Sequence, residues 1–157
     1  MRLKKIIKQL EGKFPLELAE EWDNVGLLLD STRREIKSIM LCLDITRDVV
    51  DKAVANKVDL IISHHPFIFS PLKKITTDEV NGEKILKLAR NNIAVYSMHT
   101  NIDSGIGGLN DFIIKKIGQE GKVFVISDNR CVELRKLVIG DLIDAKDKII
   151  NPLRIQK

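Results

Sequence analysis

Val58-Asp59-Leu60-Ile61-Ile62-Ser63-His64-His65-Pro66-Phe67 joins a short apolar run to two adjacent histidines and a proline. A second stretch of the same kind follows, Ile93-Ala94-Val95-Tyr96-Ser97 running into His99-Thr100-Asn101-Ile102-Asp103. Each apolar run reads as a buried strand, and each histidine segment as the chain just past its end. All three histidines of the chain lie in these two segments. Two imidazoles and a carboxylate delivered from neighbouring strand ends are what a metal site needs.

The flanking sequence extends this pattern. Leu3, Ile6, Ile7 and Leu10 follow the spacing of an amphipathic helix, which Gly12 and Pro15 close. Residues 16–22 suggest a second short turn. Residues 38–43 are nearly all apolar and predict a strand buried on both faces. Thr46 then offers an N-cap to a helix with Val49, Val50, Ala53 and Val54 along one side. Val80, Ile85, Leu88 and Ala89 predict a further helix ending near Asn91-Asn92. Leu109, Phe112, Ile113 and Ile117 predict another, stopped by Gly118. A helix followed by three strand–helix repeats predicts an α/β fold, a mainly parallel sheet flanked by helices. Ligands bind such sheets at the carboxyl ends of the strands. His64, His65, His99 and Asp103 fall there, as do Asp44 and Thr46 after the first strand.

Beyond residue 121 the pattern changes. Residues 122–127 and 131–139 read as strands, 141–150 as a weak helix, and Leu153-Arg154-Ile155 as the opening of one more strand. The expectation is one metal-binding α/β domain over 1–157, with 126–157 the start of an incomplete second lobe and the natural domain continuing past Lys157.

The 157 residues carry 44% hydrophobic side chains, which argues against disorder. No apolar run is long enough to span a membrane. Met1-Arg2-Leu3-Lys4-Lys5 opens a helical pattern broken by charges, not a signal peptide, so a cytoplasmic protein is expected. Cys42 and Cys131 have no partner at metal-ligand spacing and read as free thiols. The net charge of +4 is spread along the chain without a basic block interleaved with aromatics, so composition does not suggest nucleic-acid binding. A mild positive field still favours a phosphorylated small molecule.

Adjacent residues of a strand point to opposite faces, but at a strand end the backbone curls. His64 and His65 can then face one cavity while contacting different ions, as in a two-metal centre. Asp103 alone reads as a helix cap or turn carboxylate; next to the histidine pair it reads as a metal ligand. His65 and Asp103 are expected on one ion, with His64 on a second position. His99 is read as a group holding Asp103 or a substrate rather than as a ligand. Gly105-Ile106-Gly107-Gly108 before a helix is a weak signal for a phosphate cradle. In Trp22-Asp23-Asn24 the local reading is a packed tryptophan followed by a turn, with Asp23 and Asn24 candidates for supporting roles at the site.

Trp22-Asp23-Asn24-Val25-Gly26-Leu27, Leu43-Asp44-Ile45-Thr46, Ser63-His64-His65-Pro66, His99-Thr100-Asn101-Ile102-Asp103 and Gly107-Gly108-Leu109-Asn110-Asp111 stand in one order. In this the chain resembles the GTP cyclohydrolase 1 type 2 homologue family, also called the NIF-three-like family, over about residues 1–117. The resemblance implies a toroidal homohexamer with a dinuclear divalent-metal site in each subunit. It implies His64, His65 and Asp103 as ligands. The family's further ligands, a His and a Glu from a late His-x-x-x-Glu motif, have no counterpart here, since no histidine follows His99. One or two ions of zinc, manganese, iron or a similar metal are expected. Three functions follow: a metal-dependent hydrolase of GTP cyclohydrolase type, weak or inactive as this chain alone; a phosphoesterase or other metallohydrolase acting on a nucleotide or phosphorylated small molecule; or a non-catalytic metal-binding or partner-binding protein.

Overall fold

Leu3, Ile6, Ile7 and Leu10 form the inner face of α1 (Leu3–Lys13), which runs one residue past Gly12. The Phe14 amide donates to the Leu10 carbonyl at 2.7 Å and closes the helix, and Pro15 leads into a single 3-10 turn, Leu16–Leu18. The chain then enters β1 (Gly26–Leu29), β2 (Ile39–Cys42), α2 (Arg47–Ala55), β3 (Leu60–Ser63), α3 (Val80–Arg90), β4 (Ala94–Ser97) and α4 (Thr100–Ser104). The computed structural model describes residues 1–33, 35–117, 123–127 and 130–134. It divides into two units, Met1–Gly105 and Ile106–Lys157.

In the first unit four strands form one sheet in the order β1-β4-β3-β2. β2, β3 and β4 are parallel, and β1 lies antiparallel against β4. The expected α/β fold with a mainly parallel sheet is the one observed. The alternation of strand side chains sorts the core into two layers. Ile61 and Val95 pack with Val50 and Ala53 of α2 and Ile85 and Leu88 of α3. Leu60, Ala94 and Tyr96 pack on the opposite face with Leu3 and Ile6 of α1. β4 is buried along its whole length, as a central strand covered on both faces must be.

Two expectations need correction. The 38–43 strand is not buried on both faces. Among the described residues β2 is the edge of the sheet, and Leu41 is 75% exposed while Met40 and Cys42 face the core. Apolar composition alone does not distinguish an edge from a centre, because position in the sheet depends on strands distant in sequence. The second correction is β1, absent from the strand–helix repeat. Its four residues, Gly-Leu-Leu-Leu, show no alternation, and Gly26 sits at φ 98. Its register on β4 shifts between Leu27 and Leu29.

The helices hand the chain to the strands through compact stops. Thr46 accepts a hydrogen bond from the Val49 amide at 3.2 Å and caps α2 as expected. At the other end Lys57 takes a left-handed backbone (φ 53), with the Val58 amide returning to the Ala53 carbonyl at 2.9 Å. Asn92 (φ 57) does the same after α3, with Ile93 bonded to Leu88 at 3.0 Å. These paired bonds satisfy the last helical carbonyls and turn the chain into β3 and β4. Gly82, inside α3, meets the Thr76 backbone so closely that an added Cβ would lie 2.2 Å from its carbonyl oxygen.

The second unit contains α5 (Leu109–Ile117) and an antiparallel pair, β5 (Val123–Ser127) and β6 (Arg130–Leu134). The expected strand at 122–127 corresponds to β5. The stop at Gly118, the remainder of the 131–139 strand, the helix at 141–150 and the strand at 153–155 lie outside the described residues.

Asp59 ties β2 to β3. Its carboxylate accepts from the Lys37 and Ser38 amides at 2.7 and 3.0 Å and pairs with Arg33 at 3.1 Å. Burial alone raises its pKa, but these amides and the Arg33 and Lys37 charges outweigh that and hold it below the ordinary value of 3.8. Asp59→Ala strands two amides and should cost about 2–3 kcal/mol in a denaturant melt near neutral pH. Because the folded pKa is depressed, the Asp59 contribution is complete above the unfolded value and disappears as pH falls through the folded one. The difference between wild type and variant should therefore close in acid below pH 3.8.

Candidate metal centre

The strand ends continue the sheet ladder just far enough to aim the histidines. The His64 and His65 amides donate to the Cys42 and Leu43 carbonyls at 3.0 and 2.9 Å, and the Met98 amide donates to Ser63 at 2.9 Å. The Ser63 hydroxyl donates to the His65 carbonyl at 2.9 Å and accepts from the Ser97 hydroxyl at 2.8 Å. This grip, made at the last residues of β3 and β4, curls the chain at the histidine pair. The two rings end 5.1 Å apart instead of on opposite faces. His99 completes the group, with ring centres 5.1 Å from His64 and 5.5 Å from His65.

Two of the imidazoles have a carboxylate behind them. His65 Nδ1 lies 2.7 Å from Asp44 Oδ1, and His99 Nδ1 lies 3.0 Å from Asp23 Oδ1. The carboxylates accept, so Nδ1 carries the proton and Nε2 keeps its lone pair. The His64 ring bonds to the Met98 main chain. One nitrogen from each ring lies within 4.8 Å of the others. Orientation by an acceptor on the far nitrogen is the usual arrangement of metal-binding histidines. Asp103, on α4, brings Oδ2 to 3.8 Å from His64 Nε2. Imidazole nitrogens with a carboxylate form a donor set for borderline divalent ions. The 3.8 Å between His64 and Asp103 is a little over the roughly 3.4 Å between ligands of one tetrahedral ion. It suits either a small inward rotation onto one ion or the sharing of the rings between two.

Charge favours the ligating form of His64. Burial pushes its pKa below 6.5, and the neighbouring His99 and His65 act in the same direction against the opposing pull of Asp103. A neutral imidazole is the state that binds metal. Cys42, nearby on β2, is held up as a thiol by burial and by the Asp44 charge.

Asp23 is fully buried at its side chain and gathers donors from three directions. Thr100 gives it both its amide, at 3.1 Å, and its hydroxyl; the Asn24 amide donates at 2.7 Å; His99 donates through Nδ1. Burial raises the Asp23 pKa, and these hydrogen bonds more than reverse the effect, leaving it below 3.8. Asn24 turns the other way and donates to the Ile68 carbonyl in the loop after Pro66. Trp22 is 44% exposed and sits 6.1 Å from both the His99 and Phe69 rings. It borders the site rather than filling the core.

His64, His65, His99 and Asp103 thus come together, with Asp44 and Asp23 standing behind two of the rings. Asp103 is placed beside His64, and His99 joins the three-imidazole group. Asn24 braces a loop. In the glycine segment, the Gly107 amide donates to Asp111 at 2.6 Å, so the carboxylate of the following helix occupies it. Ser63 and Ser97 were not singled out from sequence. Their signal was a polar residue closing each of two apolar runs.

Asp23→Asn keeps the shape and removes the charge. It should weaken metal affinity about 10- to 100-fold in a titration with zinc or manganese. It should also lower thermal stability above about pH 4, with the difference fading as acid protonates the wild-type carboxyl.

The protein-family model Duf34/NIF3 (NGG1p interacting factor 3) matches residues 1–150. The chain is 38% identical over 133 residues to the GTP cyclohydrolase 1 type 2 homolog of Clostridium acetobutylicum, an alignment covering 85% of this chain and 50% of that one. It is 42% identical over 117 residues to NIF3-like protein 1 of Drosophila melanogaster, covering 74% and 40%. The chain therefore spans half or less of the length of these relatives. Among solved structures, a Bacillus cereus protein related to NIF3 superposes with a TM-score of 0.71 at 38% identity, over 79% of this chain and 34% of that one. Reduced HcgD from Methanocaldococcus jannaschii superposes with a TM-score of 0.73 at 32% identity, over 94% and 60%. These matches and the shared sheet lead to one conclusion: the chain belongs to the Duf34/NIF3 family.

Proposed function

We propose that this chain binds one or two divalent metal ions at His64, His65, His99 and Asp103 and supports metal-dependent hydrolysis of a small nucleotide or other phosphorylated molecule. The observation that carries the reading is the convergence of three imidazoles, two of them, His65 and His99, bonded through Nδ1 to a carboxylate. A bound divalent ion supplies Lewis acidity and an activated water near neutral pH. The chain's own part is to hold the rings. Asp44 fixes the tautomer of His65, Asp23 that of His99, and the Ser63 hydroxyl fixes the strand end that presents the pair. Zinc, manganese and iron all suit the donor set.

The relatives named GTP cyclohydrolase 1 type 2 homolog make opening of a purine nucleotide ring the first reaction to test. Hydrolysis of a phosphate ester on the same site is the second reading. It is favoured by the basic Lys84 in the cleft beside His65. A non-catalytic metal-binding role is the outcome if loaded protein turns over neither substrate class. A homo-oligomeric, cytoplasmic protein accords with the family resemblance. No helix among the described residues is long and apolar enough to cross a membrane.

Elemental analysis tests the site directly. His65→Ala should remove most of the metal bound by wild type, and unchanged stoichiometry in a folded variant would falsify the assignment. The pH dependence has a definite sign. His64 titrates below 6.5, so its ligating form is complete above that value and is lost as pH falls through its depressed one. Metal affinity should be flat above about pH 7 and drop in acid. An affinity that rises on acidification contradicts histidine ligation.

A further inference from the structure

Beside the histidines lies a cleft of about 550 Å³, a size that suits a small ligand. Asp44 and His65 line it, together with Thr46, Phe67, Asn81 and Lys84. Lys84 is the unusual member. It is half-buried, its Nζ donates to the Ile45 carbonyl at 2.7 Å, and it lies 5.3 Å from the centre of the Phe67 ring. Among the described residues no carboxylate forms an ion pair with it. Arg47, whose charge acts on Lys84, is itself committed to Glu83 at 2.7 Å. Elsewhere in this unit the buried charges are answered: Asp59 by Arg33, and Asp23 by His99 and Thr100.

An ammonium drawn partly out of water, touched by a carbonyl and an aromatic face and reached only through space by the Asp44 charge, is poorly compensated. Burial and the Arg47 charge outweigh the opposing pull of Asp44 and hold it below its ordinary range. Lysine has three donors, and only one is engaged by Ile45. The remaining donors and the charge are available to an anion entering the cleft. Thr46 caps α2 at the same wall, so the positive end of that helix adds to the field.

We propose that this cleft is the substrate pocket of the metal centre and that Lys84 binds the anionic group, phosphate or carboxylate, of a small substrate whose reacting atoms face His65. The substrate part of the proposal rests on the metal-centre reading; anion binding at Lys84 does not. The lysine is a positioning residue: it holds the anionic end and fixes the distance from there to the histidines.

The first test uses the full chain freed of metal by a chelator, with inorganic phosphate and acetate titrated separately by calorimetry. Lys84→Gln keeps a donor for the Ile45 carbonyl but loses the charge, and Lys84→Arg keeps the charge. Lys84→Gln should weaken binding of the preferred anion about tenfold or more, and Lys84→Arg should stay close to wild type. Tighter phosphate than acetate identifies a phosphoryl substrate, and the reverse a carboxylate. Equal affinity in wild type and Lys84→Gln, with equal thermal stability, overturns the proposal, as does the absence of binding of either anion to wild type. The second test uses manganese-loaded chain and the 31P line of inorganic phosphate. Broadening that is lost in Lys84→Gln ties the pocket to the metal centre. Broadening that survives in Lys84→Gln places phosphate on the metal alone and overturns the role of Lys84. If His65→Ala retains its metal while the first test succeeds, the metal reading fails and the anion site stands.

Discussion

The buried carboxylate of Asp23 is the constraint on which the site depends. It lies just before β1, and β1 runs antiparallel to β4, pairing Gly26 with Ser97. The amino end of one strand is thereby brought to the carboxyl end of the other. Asp23 then accepts from His99 and Thr100, which follow β4, and so fastens the edge of the sheet to the chain that carries a third imidazole. A carboxylate sealed from water is costly unless its oxygens are satisfied, and the donors around Asp23 satisfy them. The energetic demand of burying one charge thus sets the tautomer and direction of His99. The Glu20 amide, bonded to the Thr100 hydroxyl at 3.0 Å, adds the segment before Trp22 to the same knot.

The histidine pair is governed by a different device at the same edge. Parallel strands place their carboxyl ends side by side, which brings residues distant in sequence together without long loops. That alone would leave His64 and His65 on opposite faces. The paired hydroxyls of Ser63 and Ser97, both buried, turn the end of β3 inward. The histidines are therefore mounted at the ends of central strands covered on both faces, with Asp44, Asp103 and Asp23 approaching from the loop after β2, from α4 and from the segment before β1. Such mounting favours a fixed donor geometry over an adaptable one.

The neighbouring cleft belongs to the same logic. Its wall is α3, placed by the packing of Ile85 and Leu88 on the sheet and by the close approach of Gly82 to Thr76. The face of α3 that packs the core leaves Lys84 over the Phe67 ring, in the cleft that His65 also lines. A helix whose apolar stripe is set by the sheet in this way carries its polar neighbours to fixed places.

Much of this was legible in the amino-acid order. Period and caps located α1, α2, α3 and three parallel strands, because those signals act within a few residues of each other. The positions of His64, His65, Asp44 and Asp103 just after apolar runs were enough to bring them to one edge of a parallel sheet. What the order did not determine is what depends on distant pairing. β2 read as a covered strand because Leu41 and Leu43 are apolar, yet among the described residues it is an edge strand and both are exposed. β1 carried no alternation, so nothing local announced a strand, and Asp23, though a candidate for a supporting role at the site, had no partner that local spacing could name. Its role at the site exists only because an antiparallel neighbour brings it to His99. Local spacing decided which side chains stand at strand ends; the order and direction of strands, set by burial of the whole core, decided which of them meet.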